Sequence, residues 1–151
     1  MRDARLVIDL VNERSEIPRL AAIVDQFGAA HHLAEDDVAN IRLAVDEIVI
    51  NVIIHGYEDV GDDARHRIQV TIELAGDLLT MTIDDDARAY DPRSAPPPQF
   101  NLPLEQRRRG GLGVHIVKTI MDTFDYRRDN GHNIVTMSMR LDRSSAVPDS
   151  A

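Results

Sequence analysis

Three polar side chains, Glu47, Asn51 and His55, follow one another at steps of four within the mostly apolar segment AVDEIVINVIIHGYED, residues 44–59. On a helix, Glu47 and Asn51 would lie at the border of the apolar face. A carboxylate there can accept a proton from a hydroxyl group or water, and an amide oxygen is a hard ligand suited to Mg²⁺. Helix capping and an exposed polar stripe are the alternatives for this spacing. His55, next to Gly56, is interpreted as a residue of the last helical turn, where the helix dipole favours a positive charge.

A second polar group, Asp84, Asp85 and Asp86, directly follows a run in which apolar and polar residues alternate. The alternation predicts a strand, so Asp85 or Asp86 should emerge at its end, next to the layer of helices. Three adjacent carboxylates are also typical of a solvated turn. The pattern alone leaves both interpretations open.

Glycines gather at the predicted start of a later helix, in RRRGGLGVHIV, where they occupy positions 110, 111 and 113. Glycine lets backbone N–H groups approach an anion closely, and a helix N-terminus supplies positive potential, so phosphate would be favoured there. The preceding residues 107–109 are all arginine, whose side chain pairs well with phosphate oxygens. The spacing matches neither a P-loop nor a dinucleotide-binding fingerprint, and a flexible hinge is the alternative.

The elements that must position these groups begin with a strand near residues 4–12, with Leu6, Ile8 and Leu10 on one face. A helix opens near Ser15, and a break follows near residues 28–33. A second helix is predicted over residues 34–56. Its apolar stripe, which should face the core, consists of Val38, Ile41, Val45, Ile48 and Val52.

The second half of the chain predicts two hairpins and one helix. The first hairpin covers residues 66–86, the helix covers 111–124, and the second hairpin turns at Asn130 and Gly131. The intervening segment 87–111 predicts a long mobile loop, because it has no apolar period and four of its five prolines lie close together, at positions 96, 97, 98 and 103.

The predicted order is therefore β-α-α-β-β-loop-α-β-β. This order packs best as a two-layer α/β sandwich (class α+β), with a mostly antiparallel sheet and its helices on one face. We expect one domain over residues 1–142 and a frayed tail over residues 143–151.

Composition narrows the classes of function. The absence of cysteine from the 151 residues excludes disulfides, thiolate metal sites and a cysteine nucleophile, and it favours a cytoplasmic location. No segment approaches the roughly 18 uninterrupted apolar residues of a membrane span. The formal net charge of -9 argues against a surface that binds nucleic acid. Neither a membrane nor a nucleic acid is therefore expected as a partner.

These motifs, in this order, resemble the GHKL ATPase superfamily, and the resemblance is strongest to its small branch of bacterial anti-sigma factor serine-protein kinases. It covers residues 6–141. The segment DEIVINVIIHGY resembles the N box of this family, which implies that Glu47 is the general base and that Asn51 is the Mg²⁺ ligand. The segment IDDDARAYDP resembles the family box D-x-G-x-x-F-D-P, which implies that Asp85 binds adenine. The histidine-kinase-like ATPase fold is implied as well.

The resemblance also extends to the last glycine box and the closing hairpin, including Asp122, Tyr126, Gly131 and Asn133. One residue departs from the family pattern: Ala87 stands where the family has glycine, so its methyl group either weakens ATP binding or is absorbed by a small backbone shift. By resemblance, the proline-rich segment with the arginine run is the ATP lid. The remaining implied nucleotide-binding residues are Ala87, Tyr90, Arg109, Gly110, Gly111, Leu112, Gly113 and Val114.

The function implied by the resemblance is that of an anti-sigma factor with ATP- and Mg²⁺-dependent serine/threonine kinase activity. Such a protein sequesters a sigma factor and phosphorylates an anti-sigma-factor antagonist. The alternative is a non-catalytic, partner-binding regulator of the same fold with weak or only regulatory nucleotide binding. A histidine kinase fits less well, because the roughly 35 residues before the N-box helix are too few for a helical dimerisation domain. His31 and His32 are interpreted as surface or dimer-contact residues, and homodimer formation stays open.

Overall fold

The computed structural model of the chain describes residues 3–57, 65–94 and 111–141, the side chain of Leu112 excepted. Within these residues, three helices and five strands follow one another in the predicted order, which confirms the α+β class. The elements are β1 (Asp3–Val11), α1 (Glu16–Ala30), α2 (Glu35–His55), β2 (Arg67–Ala75), β3 (Leu78–Asp85), a short 3-10 turn (Pro92–Ser94), α3 (Gly111–Ile120), β4 (Thr123–Asp129) and β5 (His132–Arg140).

The five strands form one sheet in the order β1-β2-β3-β5-β4, and every neighbouring pair is antiparallel. Both predicted hairpins are present. Their turns need left-handed backbone, which is supplied by Gly76 in the first hairpin (φ +63°) and by Asn130 and Gly131 in the second (φ +50° and +79°). The Asn-Gly pair therefore fixes the second turn as the sequence predicted.

The central strand β3 shows why one face of the sheet carries the site. Leu79, Met81 and Ile83 are fully buried on the face that the helices cover, whereas Thr80 and Thr82 are partly exposed on the other. Side chains alternate along a strand, so Asp85 continues the buried row. A carboxylate is thus carried by the strand register into the apolar layer between the sheet and the helices.

Helix α2 covers the same face of the sheet. Its residues Ile41, Val45 and Ile48 are 0–2% exposed and belong to the single core cluster, as predicted. Val38 and Val52, at the two ends of the predicted stripe, are only half-buried. The central turns of α2 are therefore anchored in the core, and this packing fixes the orientation of Glu47 and Asn51, which lie beside the apolar stripe.

The predicted third helix runs four residues too far, because α3 ends at Ile120. The N–H group of Asp122 donates to the Ser138 carbonyl at 2.8 Å, and Thr123 begins β4 opposite the same residue. The hydroxyl groups of Thr123 and Ser138 also share a 2.6 Å hydrogen bond. Pairing with β5 therefore outweighs the local helical pattern at Thr123 and Phe124. β-branched and aromatic residues such as these are favoured in strands.

The start of the predicted mobile loop is held in place by hydrogen bonds. Asp91 forms an ion pair of 2.9 Å with Arg93 and opens the turn Pro92–Ser94. Lys118 of α3 then donates to the carbonyl of Arg93 at 2.6 Å. The prediction therefore differs from the structure over this part of the segment. The four prolines, the arginine run and the tail over residues 143–151 lie outside the described residues.

Candidate functional site

Glu47 and Asn51 lie partly buried on α2, one helical turn apart. The Asn51 amide donates through Nδ2 to Glu47 Oε1 at 3.3 Å. Burial raises the pKa of Glu47, and this hydrogen bond opposes the rise in part. Since the amide nitrogen faces the carboxylate, the amide oxygen is left as a ligand atom, and it accepts no hydrogen bond from the described residues.

The first turn of α3 packs directly against Glu47. A Cβ atom added at Gly113 would overlap the carboxylate carbon and both carboxylate oxygens of Glu47. Glycine at this position therefore allows the N-terminal turn of α3 to reach the carboxylate. Val114 is 1% exposed, so its side chain belongs to the core. The positive end of a helix dipole and a carboxylate consequently meet at one place.

Asp85 is 2% exposed at the end of β3. Its Oδ1 atom accepts two hydrogen bonds, from the Ala87 N–H group at 3.0 Å and from Asn133 Nδ2 at 2.9 Å. Burial is the main cause of its raised pKa, and these two hydrogen bonds oppose the rise. Both bonds end on Oδ1, so within the described residues Oδ2 is left to accept a hydrogen bond from a ligand.

Asn133 holds the neighbourhood of Asp85 together, a role that its sequence pattern alone did not assign to it. Its Oδ1 atom accepts hydrogen bonds from Tyr126 Oη at 2.6 Å, Arg128 Nη1 at 3.1 Å and the Tyr90 N–H group at 3.3 Å. The side chain is 4% exposed. A sequence signal was present, because Asn133 opens the alternating row that continues with apolar residues 135, 137 and 139. A polar residue in such a row faces the core.

The three adjacent aspartates have three different environments. Asp84 lies on the face of the sheet opposite the helices, and its Oδ1 atom is 2.6 Å from His132 Nδ1. Asp86 lies beyond the strand and accepts a 2.8 Å hydrogen bond from Tyr57 Oη. Of the two residues between which the sequence left the choice open, Asp85 is therefore the one that enters the buried layer.

Ala87 and Tyr90, both expected at the nucleotide, differ in exposure. The Ala87 residue is 2% exposed, and its methyl group lies against Gly56, since a Cβ added there would come within 2.7 Å of it. Tyr90 is 48% exposed and is tied to Asn133 only through its backbone N–H group. The extra methyl group is thus packed inside the protein, and the Tyr90 side chain is available at the surface. Arg109 and Gly110 lie outside the described residues.

The described residues contain no group of three or more His, Asp or Glu side chains that could hold a metal ion. Mg²⁺ in nucleotide sites characteristically keeps water and phosphate oxygens as ligands and takes few from the protein. Asn51 alone on α2 is compatible with that mode of binding.

Together these contacts place a buried carboxylate with one open acceptor atom at the β3 end of the candidate site. At the α2 end they place a second carboxylate, an amide oxygen and a helix N-terminus. A ligand that donates from an amino group at one end and carries anionic groups at the other would match both ends. In the described part of the chain, no helix is both long and apolar enough to cross a membrane.

Comparison with known proteins gives a matching family model and relatives of similar sequence. The family model of the histidine kinase-like ATPase domain matches residues 10–139. The serine-protein kinase RsbW of Bacillus cereus (strain ATCC 10987 / NRS 248) is 27% identical over 121 residues, which are 77% of this chain and 70% of that protein. RsbW of Bacillus thuringiensis subsp. konkukian (strain 97-27) is 26% identical over the same shares.

A solved structure gives an independent match of the fold. It contains the RsbU and RsbW domains of Rv1364c from Mycobacterium tuberculosis and aligns with a TM-score of 0.65 at 20% identity. The alignment covers 96% of this chain and 34% of the other, so this chain spans about a third of that protein. At this identity the match shows a shared fold.

Proposed function

This chain belongs to the histidine kinase-like ATPase family, and on that premise we propose that it is an anti-sigma factor with ATP- and Mg²⁺-dependent serine/threonine protein kinase activity. The observation that carries the proposal is the pairing of a buried Asp85, with one open acceptor atom, and the Glu47–Asn51 pair beside the N-terminus of α3. Relatives named serine-protein kinase support the same class of reaction.

At the β3 end, Asp85 Oδ2 would accept a hydrogen bond from the exocyclic amine of adenine. The carboxylate is oriented for this by the two donors on its other oxygen, Asn133 and the Ala87 N–H group. Guanine presents a carbonyl oxygen where adenine presents the amine, so the same carboxylate would reject it. Base selectivity is therefore assigned to Asp85.

At the α2 end, Glu47 would accept the proton of a substrate serine or threonine hydroxyl group. It must be ionised to do so, and Asn51 Nδ2 stabilises the ionised form. The amide oxygen of Asn51 would hold Mg²⁺, which neutralises phosphate charge when it is bound. Backbone N–H groups at Gly111 and Gly113 would bind phosphate oxygens, with an arginine of the lid, Arg109, as a further donor.

The partners proposed are a sigma factor, bound in one state, and an anti-sigma-factor antagonist, phosphorylated in another. A regulator that binds partners without phosphotransfer is the second candidate, since Ala87 replaces a glycine of the family pattern. The burial of this methyl group against Gly56 argues against a blocked nucleotide site. Phosphotransfer therefore stays the first proposal.

The test is transfer of label from γ-labelled ATP, with Mg²⁺, to the purified antagonist protein encoded nearest to this gene. We expect label on a serine or threonine of the antagonist, and about 10²- to 10⁴-fold slower labelling when Glu47→Gln replaces the wild type. Antagonist binding without label transfer would leave the non-catalytic regulator. Failure of ATP to bind at millimolar concentration would remove a nucleotide role altogether.

A further inference from the structure

Three segments meet beside Asp85: the end of α2, the start of β2 and the loop after β3. Tyr57 Oη donates to Asp86 Oδ1 at 2.8 Å, and His66 Nδ1 lies 3.3 Å from Asp86 Oδ2. The rings of Tyr57 and His66 stack, with centroids 4.5 Å apart and planes inclined by 18°. One carboxylate therefore joins two stacked rings that come from different elements.

The charge states agree with this arrangement. Burial, followed by the contact with Asp86, raises the pKa of Tyr57, so its hydroxyl group keeps the proton that it donates. Burial alone would raise the pKa of Asp86, but the hydrogen bonds from Tyr57 and His66 outweigh it and lower that pKa. Asp86 is thus held as the acceptor.

The backbone at Gly56 also lies close to the loop after β3. The Arg88 N–H group donates to the Gly56 carbonyl at 3.2 Å. The Ala87 methyl group lies so close to Gly56 that a Cβ atom at position 56 would overlap it. Gly56, Tyr57, His66, Asp86 and Ala87 are called the clamp below, since together they fasten the end of α2 to the loop after β3.

The clamp joins the two segments of chain that carry the two ends of the proposed site. Asn51 and Glu47 precede Gly56 on α2 by five and nine residues, or about 8 and 14 Å along a helix axis. On the other side, Asp85 directly precedes Asp86. A ligand held at both ends needs a fixed separation between them, because a misplacement of about 1 Å can lower the rate about 10²-fold.

We propose that the clamp is a positioning unit that fixes the separation between Asp85 and the Glu47–Asn51 pair, and that Ala87 serves it by packing against Gly56. This inference rests on the proposed function, because the ligand that bridges the two ends is ATP. It assigns to Tyr57, His66 and Asp86 a role in nucleotide binding without contact to the nucleotide.

The first test uses Tyr57→Phe, which keeps the stacked ring and removes only the hydroxyl group, together with Asp86→Asn. The matched control is Asp84→Asn, which makes the same charge change two residues away, also beside a histidine, but on the face of the sheet opposite the helices. The dissociation constant for ATP is measured by calorimetry at a temperature at which melting curves show every variant folded.

We expect each clamp variant to weaken ATP binding about tenfold, since alignment of the two ends is lost. The double variant should weaken ATP binding by less than the product of the two single effects, because both changes act on the contact between Tyr57 and Asp86. Asp84→Asn should stay within about twofold of the wild type, as expected of a surface change remote from the site. Equal ATP affinity in clamp variants and wild type, with only melting temperatures lowered, would overturn the inference.

The second test is Ala87→Gly. If the methyl group belongs to the clamp, its removal loosens the contact with Gly56, and ATP binding should weaken. Unchanged ATP affinity would overturn the role assigned to Ala87, and ATP binding that is several-fold tighter would overturn it by showing that the methyl group obstructs the nucleotide.

The measurements distinguish a failure of the proposed function from a failure of the clamp inference. If the wild type binds no ATP at millimolar concentration, the proposed function fails and the clamp loses its ligand. If the wild type binds ATP and the clamp variants bind it equally well, the clamp inference alone fails.

Discussion

At the β3 end of the site, Asp85 and Asn133 are 2% and 4% exposed. The side chain of Asn133 forms hydrogen bonds with Asp85, Tyr126 and Arg128. At the α2 end, Glu47 and Asn51 are only partly buried and share one hydrogen bond of 3.3 Å. The first end is fixed before a ligand arrives. The second has polar atoms that still await partners.

This difference fits a division of labour between recognition and chemistry. A carboxylate that recognises an amine gains affinity when its orientation is fixed in advance, because little ordering is left for binding. A base and a metal ligand need their partners only when substrate hydroxyl and phosphates are in place, and apo geometry at such groups is often loose. Burial raises the pKa of both Asp85 and Glu47, but only Asp85 is held by a network.

The sharpest way to break this comparison is Glu47→Gln, for which we expect the largest effect. Loss of a general base lowers the rate about 10²- to 10⁴-fold, so label transfer to the antagonist should fall by that range. The dissociation constant for ATP should change little, because the β3 end is intact. A parallel loss of ATP affinity would show that the two ends do not have separate roles.

The reverse pattern is expected for Asp85→Asn. Asparagine can keep the acceptor that Asn133 and the Ala87 N–H group use, but it places an NH₂ group where Oδ2 would meet the adenine amine. A hydrogen bond to a charged group contributes about 1.5–3 kcal/mol, so ATP binding should weaken roughly 10- to 100-fold. Asp84→Asn, which makes the same change of charge on the neighbouring residue, is the control. Calorimetry with ATP and GTP should also show a smaller preference for ATP; an unchanged preference would contradict the assignment.

Much of the fold could be predicted because its signals are local. Alternation in β2 and β3 and the Asn130-Gly131 turn each depend on a few neighbouring residues, and all appear in the structure. The end of α3 could not be found in this way, since pairing of Thr123 with Ser138 ends the helix and that contact joins residues distant in sequence.

The same distinction applies to the site. Glu47 and Asn51 show their relation through helical spacing, which the sequence displays directly. The choice of Asp85 over Asp86 depends on strand register, and the hydrogen bonds of Asn133 depend on β5 lying beside β3. Likewise, the sequence shows Ala87 as a departure from a family pattern but not the glycine, Gly56, that accommodates its methyl group. Such contacts across elements need the folded chain.

Gly113→Ala tests how loosely the α2 end is held. The new Cβ atom would overlap the Glu47 carboxylate, so the base must move or α3 must shift. We expect label transfer to fall about tenfold or more, in line with the cost of misplacing a catalytic group. His115→Ala, at an exposed position of the same helix, is the control and should retain full activity. Undiminished transfer by Gly113→Ala would mean that Glu47 adapts freely.

The smallest effect is expected in the stability of the protein without nucleotide, and it depends on pH. The pKa of Asp85 is raised in the folded protein, so between its unfolded and folded pKa values the folded state binds more protons. Over that window the free energy of unfolding falls as pH rises, and above it the penalty of a buried charge is complete. Asp85→Asn lacks this penalty and should melt a few degrees above the wild type at pH 8. The difference should shrink as pH falls through the folded pKa of Asp85. A wild type that is the more stable protein at pH 8 would mean that the network around Asp85 offsets the cost of burying its charge, and the β3 end would then be fixed by that charge as much as by Asn133.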